Sequence, residues 1–209
     1  MEYLPLITTV ALIHILAAIS PGPDFLLTIK NSLSHSRKAG IYTAIGVGLG
    51  ICVHIVYSLA GLAIIISKSI LLFNTIKLLG AGYLIYLGIK ALVVKKENDV
   101  EIDPQKTAQN LSPFDAIKMG FLTNALNPKV TLLFLGLFTM VIKPDTPGWV
   151  MAVLSTMIVA NTILWFSLVA IFFTQKRIRT VFTKFQNIFN KAFGSLLVLL
   201  GIKIALAKK

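Results

Sequence analysis

The chain has 209 residues, 56% of them hydrophobic and only 13% charged, yet its formal net charge is +12. A soluble domain carries about 25% charged residues, so this shortage of charge, with a mean hydropathy of +0.83, excludes a water-exposed globule and points to a bilayer. Cys52 is the single cysteine, which excludes an internal disulfide or a CxxC redox pair.

Met1-Glu2-Tyr3-Leu4-Pro5 carries no Lys or Arg, so it lacks the basic region that opens a signal peptide. The first apolar segment, Leu4–Leu27, is therefore expected to stay in the mature protein. It contains His14 and is interrupted by Ser20-Pro21-Gly22-Pro23-Asp24. In lipid, broken backbone is tolerated only where protein or a water-filled cavity satisfies the freed N–H and C=O groups. Gly22 suits the cap of a new helix and Pro23 its first position, where a missing N–H costs nothing. Asp24 then falls in the first turn, favoured by the helix dipole. A re-entrant first segment is the other reading; it leaves five spans and moves the amino terminus to the opposite side.

Ile41–Ser67 and Ile70–Val94 are the second and third segments. Gly46-Val47-Gly48-Leu49-Gly50 has no strand or phosphate-binding context around it, so it reads as a close helix-packing face rather than a nucleotide loop. His54 is either a satisfied core histidine or a group that relays protons or binds substrate, and the same choice applies to His14. Lys77, Lys90 and Lys203 lie within or toward the ends of segments, where snorkelling accounts for them. Lys95 to Ser112 is the only long polar stretch, its lysines balanced by Glu97, Asp99, Glu101 and Asp103, and it reads as a solvated linker.

Ile117–Ile142, Trp149–Phe173 and Phe189–Ala207 complete six segments of about the length that crosses a bilayer. The fourth is interrupted by Asn127-Pro128-Lys129, where Asn127 is a good cap and Pro128 again fits the first helical position. Asn124 and Asn161 are polar groups inside apolar segments; each either lines a cavity or bridges helices.

The cations collect at segment ends. Lys30, Arg37 and Lys38 follow the first segment, Lys95, Lys96, Lys106 and Lys118 the third, and Lys176, Arg177, Arg179 and Lys184 the fifth. The opposite side holds mainly Lys68, Lys143, Lys208 and Lys209. Cytoplasmic loops collect Lys and Arg, so the odd loops are expected inside and both termini outside. A nucleic-acid binder would need a basic face or stripe instead, and that class is set aside.

Leu87-Gly88-Ile89-Lys90 near the end of the third segment recurs as Leu200-Gly201-Ile202-Lys203 near the end of the sixth. With Pro23 matching Pro128, each half reads as broken helix, helix, and helix ending in LGIK. An odd number of spans per half makes the copies inverted. The expected fold is thus an all-α polytopic membrane protein of six transmembrane helices in two inverted three-helix repeats. Residues 1–94 form the first repeat, 95–112 the cytoplasmic linker and 113–209 the second repeat.

Paired interruptions at corresponding positions are the best sequence pointer to a transporter's binding site. Helix N-termini attract anions such as a carboxylate, Asp24 is the only acidic residue deep in an apolar segment, and Lys129 is the matching cation on the other break. Gly22, Pro23, Asp24, Asn127, Pro128 and Lys129 are the expected substrate-binding set. Asp24, His14 and His54 are the candidates for proton coupling. In the plainer alternative Asp24 caps its own helix and Lys129 neutralises it, but a charge at mid-bilayer costs roughly 2.5–3.5 kcal/mol, and serine would cap as well. No HExxH, Cys/His cluster or Walker loop occurs, so no catalytic residue, metal, cofactor or ATP site is expected. The competing class, a membrane enzyme or accessory subunit, has only Asp24 and two scattered histidines to work with.

The run SPGPDFLL, the glycine-rich second segment, the later NPK and six spans in this length together resemble the lysine-exporter (LysE/RhtB) family of bacterial amino-acid efflux proteins. The homoserine/threonine-efflux branch is the nearest likeness, and the likeness covers essentially the whole chain. It implies a multi-pass protein of the bacterial inner membrane that exports an amino acid or close derivative, driven by an ion gradient, with the proton as the expected coupling ion. Its partners would be the substrate, the ion and the lipid bilayer; a homodimer is left open, and the amino acid is not named.

Overall fold

The computed structural model describes residues 2–68, 70–93, 111–141 and 146–206. Among them the order is α1 (Leu4–Ile19), α2 (Pro23–Ser34), α3 (Arg37–Lys68), α4 (Ile70–Val93), α5 (Pro113–Ala125), α6 (Pro128–Val141), α7 (Gly148–Phe172) and α8 (Lys176–Leu206), with no strand. Most of the expected linker, with Lys95, Lys96 and Lys106, lies outside the described residues, as do Lys143, Lys208, Lys209 and the segment ends Val94, Ile142 and Ala207.

The two interruptions are where the prolines put them. Ser20 is extended at φ −65°, ψ 119°, as a residue before proline is obliged to be. Gly22 is also extended, at φ −161°, ψ −174°, and α2 starts at Pro23. The axes of α1 and α2 differ by 54°, and those of α5 and α6 by 58°. Upstream, α5 opens on Ser112, whose hydroxyl accepts from the Asp115 N–H at 3.1 Å.

Two of the described helices are long and apolar enough to cross a bilayer, in α3 and α7, and up to four if each bent pair is one span. Among the described residues the fold is thus all-helical, that of a polytopic membrane protein.

Several boundaries differ from the sequence expectation: α2 runs on to Ser34 and takes in Lys30, α3 starts at Arg37 and α5 at Pro113, and the largest difference is at α8. The cationic stretch Lys176–Lys184 was expected as a loop before a span beginning at Phe189, but it is the first part of a continuous α8. Lysine and arginine are good helix formers, and the apolar residues between them anchor this turn. The Phe182 ring packs on Phe25 and Phe173 at centroid distances of 5.2 and 4.9 Å.

α3 is the central helix, packed along both α5 and α7, while α4 runs along α8. Glycine makes the first contact possible. A Cβ at Gly46 would collide with the Ile117 carbonyl, and one at Gly120 with the Thr43 carbonyl. The two backbones therefore touch, as small residues allow in membrane helices. A buried layer that includes Val10, Ile13, Ile51, Leu84, Phe134, Leu137, Leu154 and Leu197 joins α1, α3, α4, α6, α7 and α8. This layer holds the two breaks against each other.

Candidate functional site

The prolines free carbonyls at the end of α1 and α5 and open new helix starts at α2 and α6, so both breaks need partners. They find them largely in each other. Asp24, in the first turn of α2 and only 6% exposed, accepts hydrogen bonds on Oδ2 from Asn124 Nδ2 at 3.0 Å and Asn127 Nδ2 at 3.1 Å. Both donors flank the second break, and both are buried.

Lys129 crosses in the opposite direction. Its ammonium donates to the Ser20 carbonyl at 3.0 Å and lies 3.5 Å from that of Ala17, at the freed end of α1. It also lies 5.3 Å from the centroid of the Phe193 ring, a cation–π distance. A third carbonyl at this end, that of Ala18, accepts from the Trp165 indole N–H of α7 at 3.0 Å. The carboxylate of Asp24 and the ammonium of Lys129 thus take different partners.

The two helix starts differ. Asn127 Oδ1 accepts from the Lys129 N–H at 3.0 Å, and the Asn127 carbonyl accepts from Val130 and Thr131 at 3.1 and 3.0 Å. Both helix starts were expected to attract an anion, but the first turn of α6 is closed by its own cap. At α2 no side chain caps the first turn, because Gly22 has none to offer. Of the two breaks, the one at α2 presents an open helix start. Space does not demand glycine there, since a Cβ at Gly22 would stand 3.6 Å from Lys129 Nζ, an ordinary contact.

Two cavities flank the meeting point. The smaller, of about 40 Å³, is lined by His14, Asp24, Asn124, Thr162 and the apolar Ile51 and Phe134, among others. A larger one of about 390 Å³ is lined by Pro23, Tyr83, Tyr86, Lys90, Pro128, Asn190 and Phe193, among others. Ser20, Gly22, Asn127 and Lys129 border both and form the wall between them. The larger volume falls within the usual range of ligand pockets, about 300–1,000 Å³.

All six expected substrate-binding residues therefore line one cavity or both. His14 lines the small cavity with its Nε2 at 3.2 Å from Thr162 Oγ1. His54 borders neither cavity. Its Nε2 is 2.9 Å from the Asn124 carbonyl and its Nδ1 2.8 Å from the Tyr57 hydroxyl, which in turn donates to Thr131 at 3.3 Å. That places His54 behind the second break as a support. Asn161 is half-buried on α7 and also borders neither cavity. Sequence reasoning did not single out Thr162, Trp165, Tyr83, Tyr86 or Asn190. The signal for Thr162 and Asn190 was faint: a polar side chain inside an otherwise apolar run.

Compared with known proteins, residues 15–208 match the sequence description of the LysE type translocator. The chain is 35% identical over 196 residues to the uncharacterized membrane protein YrhP of Bacillus subtilis, covering 90% of this chain and 93% of that one. It is 27% identical over 205 residues to the threonine efflux protein of Escherichia coli, covering 98% of this chain and all of the relative. The threonine efflux protein of Salmonella typhi is 29% identical over 208 residues, with 98% and 100% covered. No solved structure matches.

Proposed function

Because this chain belongs to the LysE type translocator family, and is accordingly a membrane transporter and not an enzyme, we propose that it exports an amino acid or close derivative across the bacterial inner membrane, driven by the proton gradient. The observation that carries the reading is the meeting of Asp24 with Asn124 and Asn127 at 3.0 and 3.1 Å. A buried carboxylate, a half-buried ammonium and an open helix start lie around one wall, which is what a zwitterion needs. The relatives named threonine efflux proteins make threonine the first substrate to try.

The architecture proposed is six crossings in two inverted repeats, residues 1–94 and 113–209 joined by the cytoplasmic linker 95–112, with α4 and α8 as the third and sixth. Two features support it. The bends at the two breaks are alike, 54° and 58°. The LGIK glycines also sit in equivalent contacts of the α4–α8 pair. A Cβ on Gly88 would stand 2.7 Å from the Gly194 carbonyl and 2.9 Å from Val198 N, and one on Gly201 2.7 Å from the Ala81 carbonyl and 3.2 Å from Ile85 N. Exchanging Gly88 for Gly201 carries Gly194 onto Ala81 and Val198 onto Ile85, the exchange an inverted repeat makes.

In the proposed cycle, ionised Asp24 takes the substrate ammonium, while Lys129 and the open first turn of α2 take the carboxylate. Protonation of Asp24 from outside then releases the substrate outward, and loss of that proton inward resets the site. One charge moved through 100 mV is worth about 2.3 kcal/mol, enough for substantial accumulation against a gradient. The test is efflux from cells overexpressing the protein and loaded with threonine-containing dipeptides. Efflux above the vector control that stops on adding a protonophore is expected. Efflux indifferent to the protonophore but dependent on sodium would overturn the choice of ion.

A further inference from the structure

We propose that the larger cavity takes the side chain of the substrate and that Asn190, on α8, reads a hydroxyl or amide carried by it; this rests on the reading that Lys129 holds the substrate carboxylate. Lys129 borders two cavities, of about 40 and 390 Å³, and the larger has the room for a side chain. Its walls come from three places. The breaks contribute Gly22 and Lys129, α4 contributes Tyr83 and Tyr86, and α8 contributes Asn190 and Phe193.

Asn190 sits in that wall with its needs unmet. It is 7% exposed, and its amide has no hydrogen-bond partner among the described residues. Buried polar side chains are normally paired, and the asparagines of the second break obey that rule, Asn124 and Asn127 both donating to Asp24. Asn190 also differs from the sealed atoms nearby. Asp24 Oδ1 and Asn124 Oδ1 are unpaired and closed off from water, whereas neither amide atom of Asn190 is. A side chain this buried yet still reachable is reached from the cavity that it lines.

The helix sets its position. Asn190 and Phe193 share a face of α8, three residues and so about 4.5 Å apart along the axis, and the Phe193 ring centroid is 5.3 Å from Lys129 Nζ. A substrate held by its carboxylate at Lys129 and extending into this cavity passes Asn190 within its first few side-chain atoms. An amide both donates and accepts, so it pairs with a hydroxyl or with another amide. An apolar side chain of the same shape displaces water from Asn190 and returns no hydrogen bond, which loses affinity.

The experiment is calorimetric titration of the detergent-purified full-length protein with the twenty protein amino acids. Two pairs alike in shape decide it, threonine with valine and asparagine with leucine. In at least one pair the polar member should bind on the order of tenfold more tightly. In Asn190→Leu the two members should bind alike, and Asn190→Gln, which keeps an amide, should keep a preference; Asn190→Ala replaces Asn190→Leu if that protein does not purify. Equal affinities within both pairs in the native protein would overturn the role of Asn190 while leaving amino-acid binding intact. So would an equal loss for both members in Asn190→Leu, which is what a purely structural asparagine gives. If none of the twenty binds, the transport reading itself falls with it.

Discussion

Asp24 Oδ2 and Asn127 Nδ2, 103 residues apart in the chain, meet at 3.1 Å between two helix breaks. A capping role alone would turn this carboxylate toward the N–H groups of its own helix. Here the partners of its side chain among the described residues, Asn124 and Asn127, belong to the other half, so a change at Asp24 is felt by both.

Asp24→Asn keeps the size and one acceptor oxygen but replaces the other with an NH2 donor and removes the charge and the titratable proton. Gradient-driven efflux should be lost, falling to the vector background, while exchange of substrate at equilibrium persists. Asp24→Glu should retain part of the activity. Efflux and counterflow measured side by side in the same vesicles check this, and native efflux by a normally inserted Asp24→Asn protein would reduce the carboxylate to a cap.

Lys129→Ala should chiefly weaken substrate binding, on the order of tenfold, as expected for losing a charged hydrogen-bond donor. Combined with Asp24→Asn it should cost less stability than the sum of the single changes, because neither variant then leaves a lone buried charge. Thermal unfolding of the four proteins closes the cycle.

His54→Phe separates support from relay. His54 holds the Asn124 carbonyl from behind, outside both cavities, so efflux should survive with a stability loss of about 1 kcal/mol. Loss of transport in a protein of undiminished Tm would place His54 on the proton path.

Gly46→Leu and Gly120→Leu should each destabilise by about 1–3 kcal/mol or prevent insertion, since the added side chain meets backbone carbonyls that cannot move aside. Gly82→Ala is the control, with nothing within 4 Å of its added Cβ, and its Tm should match the parent within error.

Orientation is open to labelling. Cysteines introduced at residues 98–108 should react only from the cytoplasm, and a tag after Lys209 only from outside. The reverse pattern would invert the topology, and both sites on one side would mean an even number of crossings in residues 113–209.

The breaks were legible because proline acts locally. It fixes φ, removes an N–H and constrains the residue before it, so Pro23 and Pro128 mark helix starts whatever surrounds them. The inward faces were not legible. α1, α3 and α7 are apolar all round, and such helices give no periodic sign of which side faces protein. That Asn124 rather than Asn161 reaches Asp24 depends on how closely α5 lies on α3, which Gly46 and Gly120 decide only once the pair is known. The start of α8 was misplaced for a related reason. Apolarity reports contact with lipid, and Lys176–Lys184 is helical without being apolar.

The end of α1 has a consequence for how the protein is made. The Ala17, Ala18 and Ser20 carbonyls receive their donors from Lys129 and Trp165, both of which leave the ribosome long after α1 has reached the membrane. Until they arrive, the first half carries unpaired carbonyls with no donor of its own, so its maturation waits on the second. Two genes dividing the chain within the linker should then complement each other when expressed together, and each fragment made alone should be cleared by membrane proteases.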